Sequence, residues 1–172
     1  MVILFSVQIS AQKYTTKTGT LKFEASVPSF EEVAGENKST SAVLDAGKGD
    51  VAVLALVKGF RFKVALMEEH FNENYVESDK FPKATFTGKI TGFDASKLSS
   101  AAQTYTISGD LTLHGVTKKV SSSAKISKSG NSITIIGNFN VKPGDFGIEV
   151  PSTVSKKVAK EVKISYNFLT TK

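Results

Sequence analysis

Apolar and polar residues alternate one by one along much of this chain of 172 residues. In residues 104–113 the odd positions are Tyr, Ile, Gly, Leu and Leu, and the even positions are Thr, Thr, Ser, Asp and Thr. This period is typical of a strand with one face against an apolar interior and the other in water. Residues 114–117 interrupt the alternation and residues 120–126 resume it, which predicts a β-hairpin.

The alternation recurs along the chain, with turn residues between the alternating segments. Residues 47–50, Gly-Lys-Gly-Asp, are one such turn signal, and the polar residues 36–40 stand before another alternating segment. Residues 51–62 are apolar at odd and even positions alike, which indicates a central strand or one that a helix covers. The strands predicted in this way cover residues 20–27, 41–45, 51–62, 84–90, 133–141 and 162–169.

Residues 64–71 follow a helical period instead. The apolar face of this predicted helix carries Leu66, Met67, His70 and Phe71, and the two glutamates between them point away. The Asn and Ser residues that follow are poor helix formers, so we expect only about two or three turns. About eight strands and one short helical insert predict an all-β fold, either a sandwich or a barrel.

Composition narrows the range of functions. The chain has no cysteine, which excludes disulfides and thiolate-based metal or redox sites. Its net charge of +6 comes from lysines scattered over the polar faces of strands, and Arg61 is the only arginine. Because nucleic-acid sites cluster Lys and Arg on one face, we predict no nucleic-acid binding.

The first residues are typical of an export signal. Residues 1–12 form a short apolar run that ends in small residues, like the h-region and cleavage zone of a secretory signal peptide, although the basic start is missing. Cleavage near Ala11 or Gln12 would leave residues 13–172 as a single periplasmic or secreted domain. An ordinary first strand is the alternative. No other segment approaches the ~20 apolar residues of a membrane span.

Few residues are candidates for catalysis or metal binding. His70 and His114 are the only histidines, and they do not have the spacing of a zinc site. We expect His70 to pack on the helix face and His114 to form hydrogen bonds within a turn. No serine stands in a Gly-x-Ser-x-Gly elbow. The sequence therefore predicts no catalytic residue, no metal site and no cofactor, and thus a protein that is not an enzyme.

The abundance of phenylalanine leaves two alternatives for the interior. Twelve phenylalanines supply most of the aromatic residues, and Trp is absent. A packed aromatic core accounts for them, and so does an apolar cavity, because an eight-stranded barrel has just enough interior to hold one ligand. The periodicity does not decide between a filled and a hollow barrel.

Three segments resemble the YceI-like family of bacterial polyisoprenoid-binding proteins. Residues 109–120, Gly-Asp-Leu-Thr-Leu-His-Gly-Val-Thr-Lys-Lys-Val, are similar to the family hairpin Gly-x-Leu-Thr-[Ile/Leu]-x-Gly-Val-Thr-[Lys/Arg]-x-Val. Residues 75–86 resemble its helix-to-strand stretch, which ends in aromatic-Pro-x-[Ile/Ala]-x-Phe, and residues 145–148 resemble its late Asp-Phe-Gly turn. In order and spacing, the resemblance extends over residues 14–169.

The resemblance has departures at two places. The family's usual opening, Trp-x-x-Asp followed by His-Ser, is absent, and Tyr14 and residues 19–23 stand in its place. The arginine that usually precedes the Asp-Phe-Gly turn is missing from residues 140–144. The chain is therefore read as a divergent branch of the family.

The resemblance implies a lipocalin-like antiparallel barrel of eight strands around a long apolar pore, export to the periplasm and binding of an isoprenoid chain. We therefore expect a protein that binds an isoprenoid or other amphiphilic lipid in the barrel interior, as a periplasmic carrier or sequestering protein. Two alternatives stay open: a non-catalytic interaction or stress module with a filled barrel and, less favoured, an enzyme on a hydrophobic substrate. The oligomeric state is not predicted, and a dimer is one option.

An isoprenoid tail needs no charged partner, because burying apolar surface stabilises a complex by about 25 cal/mol per Å² before entropy losses. At the mouth of the pore, Tyr105 or His114 would meet a headgroup. The residues expected to contact the ligand are the inward apolar ones: Phe23, Phe60, Phe62, Phe71, Ala84, Phe86, Ile90, Leu111, Leu113, Phe139 and Phe168.

Overall fold

The chain folds into a closed β-barrel, as a computed structural model that describes residues 12–172 shows. Each strand pairs antiparallel with the next, and the last pairs with the first, which closes the sheet. The predicted all-β, eight-stranded antiparallel barrel is confirmed. The predicted secretory segment falls almost wholly on residues 1–11, which lie outside the described residues. The strands are β1 (Lys13–Glu24), β2 (Ala34–Asp45), β3 (Asp50–Leu56), β4 (Lys83–Ile90), β5 (Gln103–Leu113), β6 (Val116–Ser129), β7 (Ser132–Val141) and β8 (Val162–Thr171).

The predicted hairpin is formed by β5 and β6, with a tighter loop than expected. Leu113 pairs with Val116, so the loop is His114–Gly115 alone. Its two residues have positive φ angles of 52° and 72°. A two-residue loop needs this conformation to match the twist of the strands it joins. It is uncommon for residues other than glycine, although histidine adopts it more often than most.

Buried polar residues hide the true start of β2. The strand begins at Ala34 and includes the polar residues 36–40, which were predicted to precede it. Asn37 is buried within this stretch, where its Nδ2 donates to the carbonyl of Leu56 over 3.0 Å and its Oδ1 accepts from the amide of Ser39 over 2.8 Å. Because these bonds satisfy the amide, it occupies an inward position that the alternation assigns to apolar residues.

Two other strands have boundaries that the alternation did not predict. β1 starts at Lys13, well before the predicted residue 20. The alternation missed this first half because the residues between Tyr14 and Leu21 are polar or glycine and carry no apolar pattern. β3 ends at Leu56, and a 3₁₀ turn, Val57–Gly59, follows it within the predicted strand 51–62. Of residues 60–62, only Arg61 pairs with a strand, through an isolated bridge to Glu36.

The predicted short helix is confirmed as α1 (Ala65–His70), which a π-helical turn, Phe71–Tyr75, extends. Leu66 was wrongly assigned to the inward face, since it is 57% exposed. Glu68 does not simply point away, because its carboxylate accepts from the Arg61 guanidinium over 2.9 Å and from the amide of Phe62 over 3.2 Å. Within residues 12–172 no helix has the length and hydropathy that crossing a membrane requires.

The two ends of the barrel differ. At one end, here called the packed end, the first residues of β1 meet the last residues of β2, and large side chains fill the interior. At the other, the helix end, residues 57–82 and 142–161 connect successive strands and carry α1. The side chains that fill the packed end include Tyr14, Leu44, Ile90, Ile126 and Ile133.

Candidate ligand cavity

A cavity of about 380 Å³ lies inside the barrel, between the packed end and the helix end. This volume is within the range of cavities that hold small molecules. Its lining comes from every strand except β2, together with α1, the π-helical turn and the connection between β7 and β8. Almost all the lining side chains are aliphatic or aromatic. The interior is therefore hollow and apolar.

The structure brings all but one of the predicted site residues to this cavity. Ile90 is the correction: it is fully buried in the cluster that fills the packed end, and it does not line the cavity. The alternation correctly predicted that Ile90 points inward from β4. Ile90 is at the end of that strand, however, and lies in the packed end, beyond the cavity. The predicted residues that line the cavity are Phe23, Phe60, Phe62, Phe71, Ala84, Phe86, Leu111, Leu113, Phe139 and Phe168.

Four aromatic rings meet where the cavity approaches the helix end. Phe23 at the end of β1 stacks on Phe71 with ring centroids 5.1 Å apart and planes 15° apart. Phe60 and Phe62, which follow β3, contact both rings at centroid distances of 5.0 to 5.8 Å. This Phe cluster joins α1 and its π-helical turn to the barrel wall, and each pair adds a specific aromatic contact to the buried area.

Sequence reasoning missed the connection between β7 and β8 as part of the site. Val150, Val154, Lys157 and Val158 all line the cavity. The segment is made of turns, and the amide of Ala159 donates to the carbonyl of residue 25 over 2.8 Å, which holds it across the barrel end. The available signal was a set of isolated valines in a stretch otherwise rich in Ser and Lys.

One hydrogen-bonded polar pair faces the apolar interior. The Ser122 hydroxyl on β6 lies 2.7 Å from the Tyr166 hydroxyl on β8. The Tyr166 ring reaches across β7 at Gly137, where a side chain would overlap the phenol oxygen. The same ring stacks on Phe168 with centroids 5.4 Å apart. Burial raises the pKa of the Tyr166 phenol.

Comparison with known proteins identifies the family. Residues 7–169 match the family described as the YceI-like domain. The chain belongs to the YceI-like family. A UPF0312 protein of Yersinia enterocolitica is 34% identical over 83 residues, which are 45% of this chain and 40% of that protein. The alignment thus spans less than half the length of that relative.

Solved structures share the fold of this YceI-like chain. BcnA of Burkholderia cenocepacia superposes with a TM-score of 0.72 at 20% identity, over 89% of this chain and 96% of BcnA. A polyisoprenoid-binding domain of Saccharophagus degradans, implicated in plant cell wall breakdown, gives a TM-score of 0.78 at 14% identity, over 94% of this chain and 98% of that domain. At these identities the similarity establishes the barrel fold alone.

The three YceI-like motifs meet at His114. The Nε2 atom of His114 contacts the Glu77 carboxylate over 2.6 Å, and Nδ1 contacts the carbonyl of Phe146 over 2.9 Å. The Phe81 ring packs edge-on against the imidazole at 4.5 Å. His114 lies in a turn as predicted, but its ring contacts residues 32 and 37 positions away and not residues of the turn itself. It does not line the cavity, and its contact with a ligand headgroup stays a prediction.

Tyr105 is the second headgroup candidate that lies elsewhere. Its ring packs near Phe93 at 6.0 Å among the side chains of the packed end, and its hydroxyl lies 3.3 Å from the Gln103 side chain. It does not line the cavity of this YceI-like barrel. The alternation placed Tyr105 on the inward face but did not show which end of β5 lies at the mouth.

Charged groups are scarce around the cavity. Lys157 and His70 line it, and no Asp or Glu of residues 12–172 does so. Over the same residues, no three His, Asp or Glu side chains come together in an arrangement that could hold a metal ion. The chemistry that this YceI-like cavity offers is therefore burial of apolar surface with a few polar contacts.

Proposed function

We propose that this chain binds a long apolar ligand, an isoprenoid or other lipid-like molecule, in the barrel interior. The observation that carries the proposal is the hollow apolar cavity, whose wall extends from the Phe cluster to Phe168. Burial in such a wall contributes about 25 cal/mol per Å² of apolar surface, so a hydrocarbon chain needs no charged partner there. Membership of the YceI-like family and the likeness to a polyisoprenoid-binding domain support it.

The two rival functions find less support. A filled-barrel interaction module would have side chains in the space that the cavity occupies. An enzyme acting on a hydrophobic substrate would need a convergent acid and base, and the described lining contains no carboxylate. We therefore propose a carrier or sequestering protein that performs no chemical step on its ligand.

We further propose that the protein acts outside the cytoplasm, in the periplasm. The apolar run at residues 1–12, which resembles a secretory signal, supports this. Expression of the complete gene in its native host, followed by cell fractionation and N-terminal sequencing, tests it. We expect a mature chain that begins near Gln12 or Lys13 in the extracytoplasmic fraction. An unprocessed chain recovered from the cytoplasm contradicts the proposal.

Native mass spectrometry of the purified chain tests the binding function. We expect a species heavier than the protein alone by the mass of one lipid, and organic extraction should release a molecule with a long hydrocarbon chain. Chains purified without lipid should take up added isoprenoids of different lengths with one-to-one stoichiometry. A protein that stays free of lipid after both treatments contradicts the proposed function.

A further inference from the structure

The Ser122 and Tyr166 hydroxyls have a fixed direction of hydrogen bonding. The Ser122 oxygen lies 2.9 Å from the carbonyl oxygen of Asn138, and a carbonyl can only accept. A second carbonyl, that of Ser123, lies 3.4 Å away and offers the same role. The single proton of Ser122 is therefore donated to the backbone. In the contact of 2.7 Å between the two hydroxyls, Tyr166 donates to Ser122.

Because Tyr166 donates its only hydroxyl proton to Ser122, its oxygen can only accept a hydrogen bond from a ligand. Within residues 12–172, Ser122 is its only hydrogen-bond partner, so a lone pair of the phenol oxygen is free. Tyr166 is only 8% exposed, yet it lines the cavity. Burial raises the pKa of its phenol, which keeps the hydroxyl protonated and the donation to Ser122 intact.

The acceptor lies deep in the cavity. Ile164 pairs with Phe23 of the Phe cluster, and Tyr166 is two residues farther along β8 toward the packed end, a distance of about 7 Å along a strand. Its ring stacks on Phe168, and the ring of Phe139 lies 6.4 Å away. A polar ligand atom at this depth therefore has Tyr166 and Ser122 as its polar neighbours and hydrocarbon on its other sides.

We infer that the preferred ligand is an apolar alcohol, bound with its hydroxyl donating to the Tyr166 oxygen and its hydrocarbon chain directed toward the Phe cluster. This inference rests on the proposed function and specifies the ligand class and its orientation. A quinone, an aldehyde or an ether offers only acceptors. Such a group meets the Tyr166 lone pair, or else breaks the bond from Tyr166 to Ser122, and an unpaired buried polar group is costly.

The test compares matched ligands on the whole chain. Geranylgeraniol, its methyl ether and its aldehyde have the same hydrocarbon chain, and only the alcohol donates a hydrogen bond. Dissociation constants are measured by displacement of a fluorescent apolar probe from the wild type and from Tyr166→Phe. We expect the preference for the alcohol over the ether to fall about fivefold in Tyr166→Phe, the effect of one net hydrogen bond.

Two more variants provide a matched control and a test of the hydrogen-bond direction. Tyr105→Phe removes a tyrosine hydroxyl that lies outside the cavity, so its preference should equal that of the wild type. Ser122→Ala removes the acceptor of the Tyr166 proton and frees that proton for the ligand. In this variant the aldehyde and the ether, which only accept, should gain affinity relative to the alcohol, which a purely structural role of Ser122 would not produce.

Three outcomes overturn the inference. An alcohol preference that is equal in the wild type and in Tyr166→Phe shows that the phenol oxygen does not contact the ligand hydroxyl. An aldehyde that outcompetes the alcohol in the wild type, and loses this advantage in Tyr166→Phe, shows that Tyr166 donates. A wild type that binds none of the three ligands overturns the proposed function as well, which separates that failure from a wrong ligand class.

Discussion

His114 and Glu77 form a short contact of 2.6 Å between Nε2 and a carboxylate oxygen, which joins the β5–β6 turn to the segment after α1. The other ring nitrogen lies 2.9 Å from the carbonyl of Phe146, so both of its partners are acceptors. The imidazole, whose side chain is only 11% exposed, thus ties together three segments at the helix end of the barrel.

We predict that His114→Asn destabilises the fold without breaking the turn. Asparagine tolerates positive φ, so the loop conformation is kept, but its side chain is too short to reach both partners. The loss of two contacts, one of them to a charged group, should lower the free energy of unfolding by about 2 kcal/mol in urea titrations. Lys119→Ala, which breaks an exposed pair with Asp110, is the control and should cost less than about 1 kcal/mol. Equal losses in the two variants would contradict the structural role of His114.

Gly109, in the first strand of the YceI-like hairpin, allows β5 to lie close to the neighbouring strand β4. It pairs with Gly88, and a Cβ at Gly109 would overlap the Thr87 carbonyl oxygen and the Gly88 Cα. Since those atoms belong to the backbone of a closed sheet, they cannot move aside without disturbing the ladder. We predict that Gly109→Ala lowers the free energy of unfolding by about 3 kcal/mol, at the upper end of overpacking costs.

Gly144 provides the matched control for that substitution. Nothing lies within 4 Å of the position that its Cβ would take, so Gly144→Ala should change the free energy of unfolding by less than about 0.5 kcal/mol. Both variants are compared with the wild type by urea unfolding followed by circular dichroism. If Gly109→Ala is as stable as Gly144→Ala, then β4 and β5 are not as close as the structure places them.

The raised pKa of Tyr166 predicts a loss of stability in alkali. Its folded-state pKa lies above the ordinary 10.0, so the folded protein holds the phenol proton where the unfolded chain has released it. The stabilisation is complete below the unfolded-state pKa and is lost as pH rises through the folded-state pKa. Urea unfolding from neutral pH to about pH 11 should show a smaller decline in Tyr166→Phe than in the wild type. Identical declines would mean that burial does not perturb this phenol.

The alternation of the sequence was sufficient to predict an all-β fold, either a sandwich or a barrel, because period-two patterning depends only on which face of a strand is buried. The choice of a barrel came from the resemblance to the YceI-like family. The alternation failed to show the start of a strand where the buried face of that strand is not apolar. The first half of β1 has few apolar residues, and the start of β2 has a buried Asn37 that its own hydrogen bonds satisfy. Neither feature leaves a hydrophobic signal.

For the candidate site, the sequence predicted which residues point inward but not how far along the barrel axis each one lies. Inward positions such as Phe86, Leu111 and Phe139 were recognised, since inwardness is a local property of each strand. The level of a residue along the barrel axis depends on the register of all eight strands, so the position of Ile90 below the cavity was not evident. The Tyr166–Ser122 contact joins residues 44 positions apart and has no local signature.

Ala84 lines the cavity on β4 and offers a direct test of whether the barrel is hollow in solution. We predict that Ala84→Phe reduces binding of long isoprenoids more than binding of short ones, because the ring narrows the cavity without adding a polar group. Stability should change little, since the ring enters empty space instead of a packed core. Dissociation constants for isoprenoids of increasing length, together with urea unfolding, measure both effects.

Ala52 supplies the control, because it lies exposed on the neighbouring strand, β3. Its replacement by Phe adds the same ring outside the barrel. Ala52→Phe should bind isoprenoids of every length as the wild type does. A filled interior predicts the opposite pattern for Ala84→Phe. There the new ring overpacks the core and lowers the free energy of unfolding by about 1–3 kcal/mol. A strongly destabilised Ala84→Phe, with no lipid copurifying with the wild type, would show that the barrel is filled and that the interaction-module alternative describes this chain better.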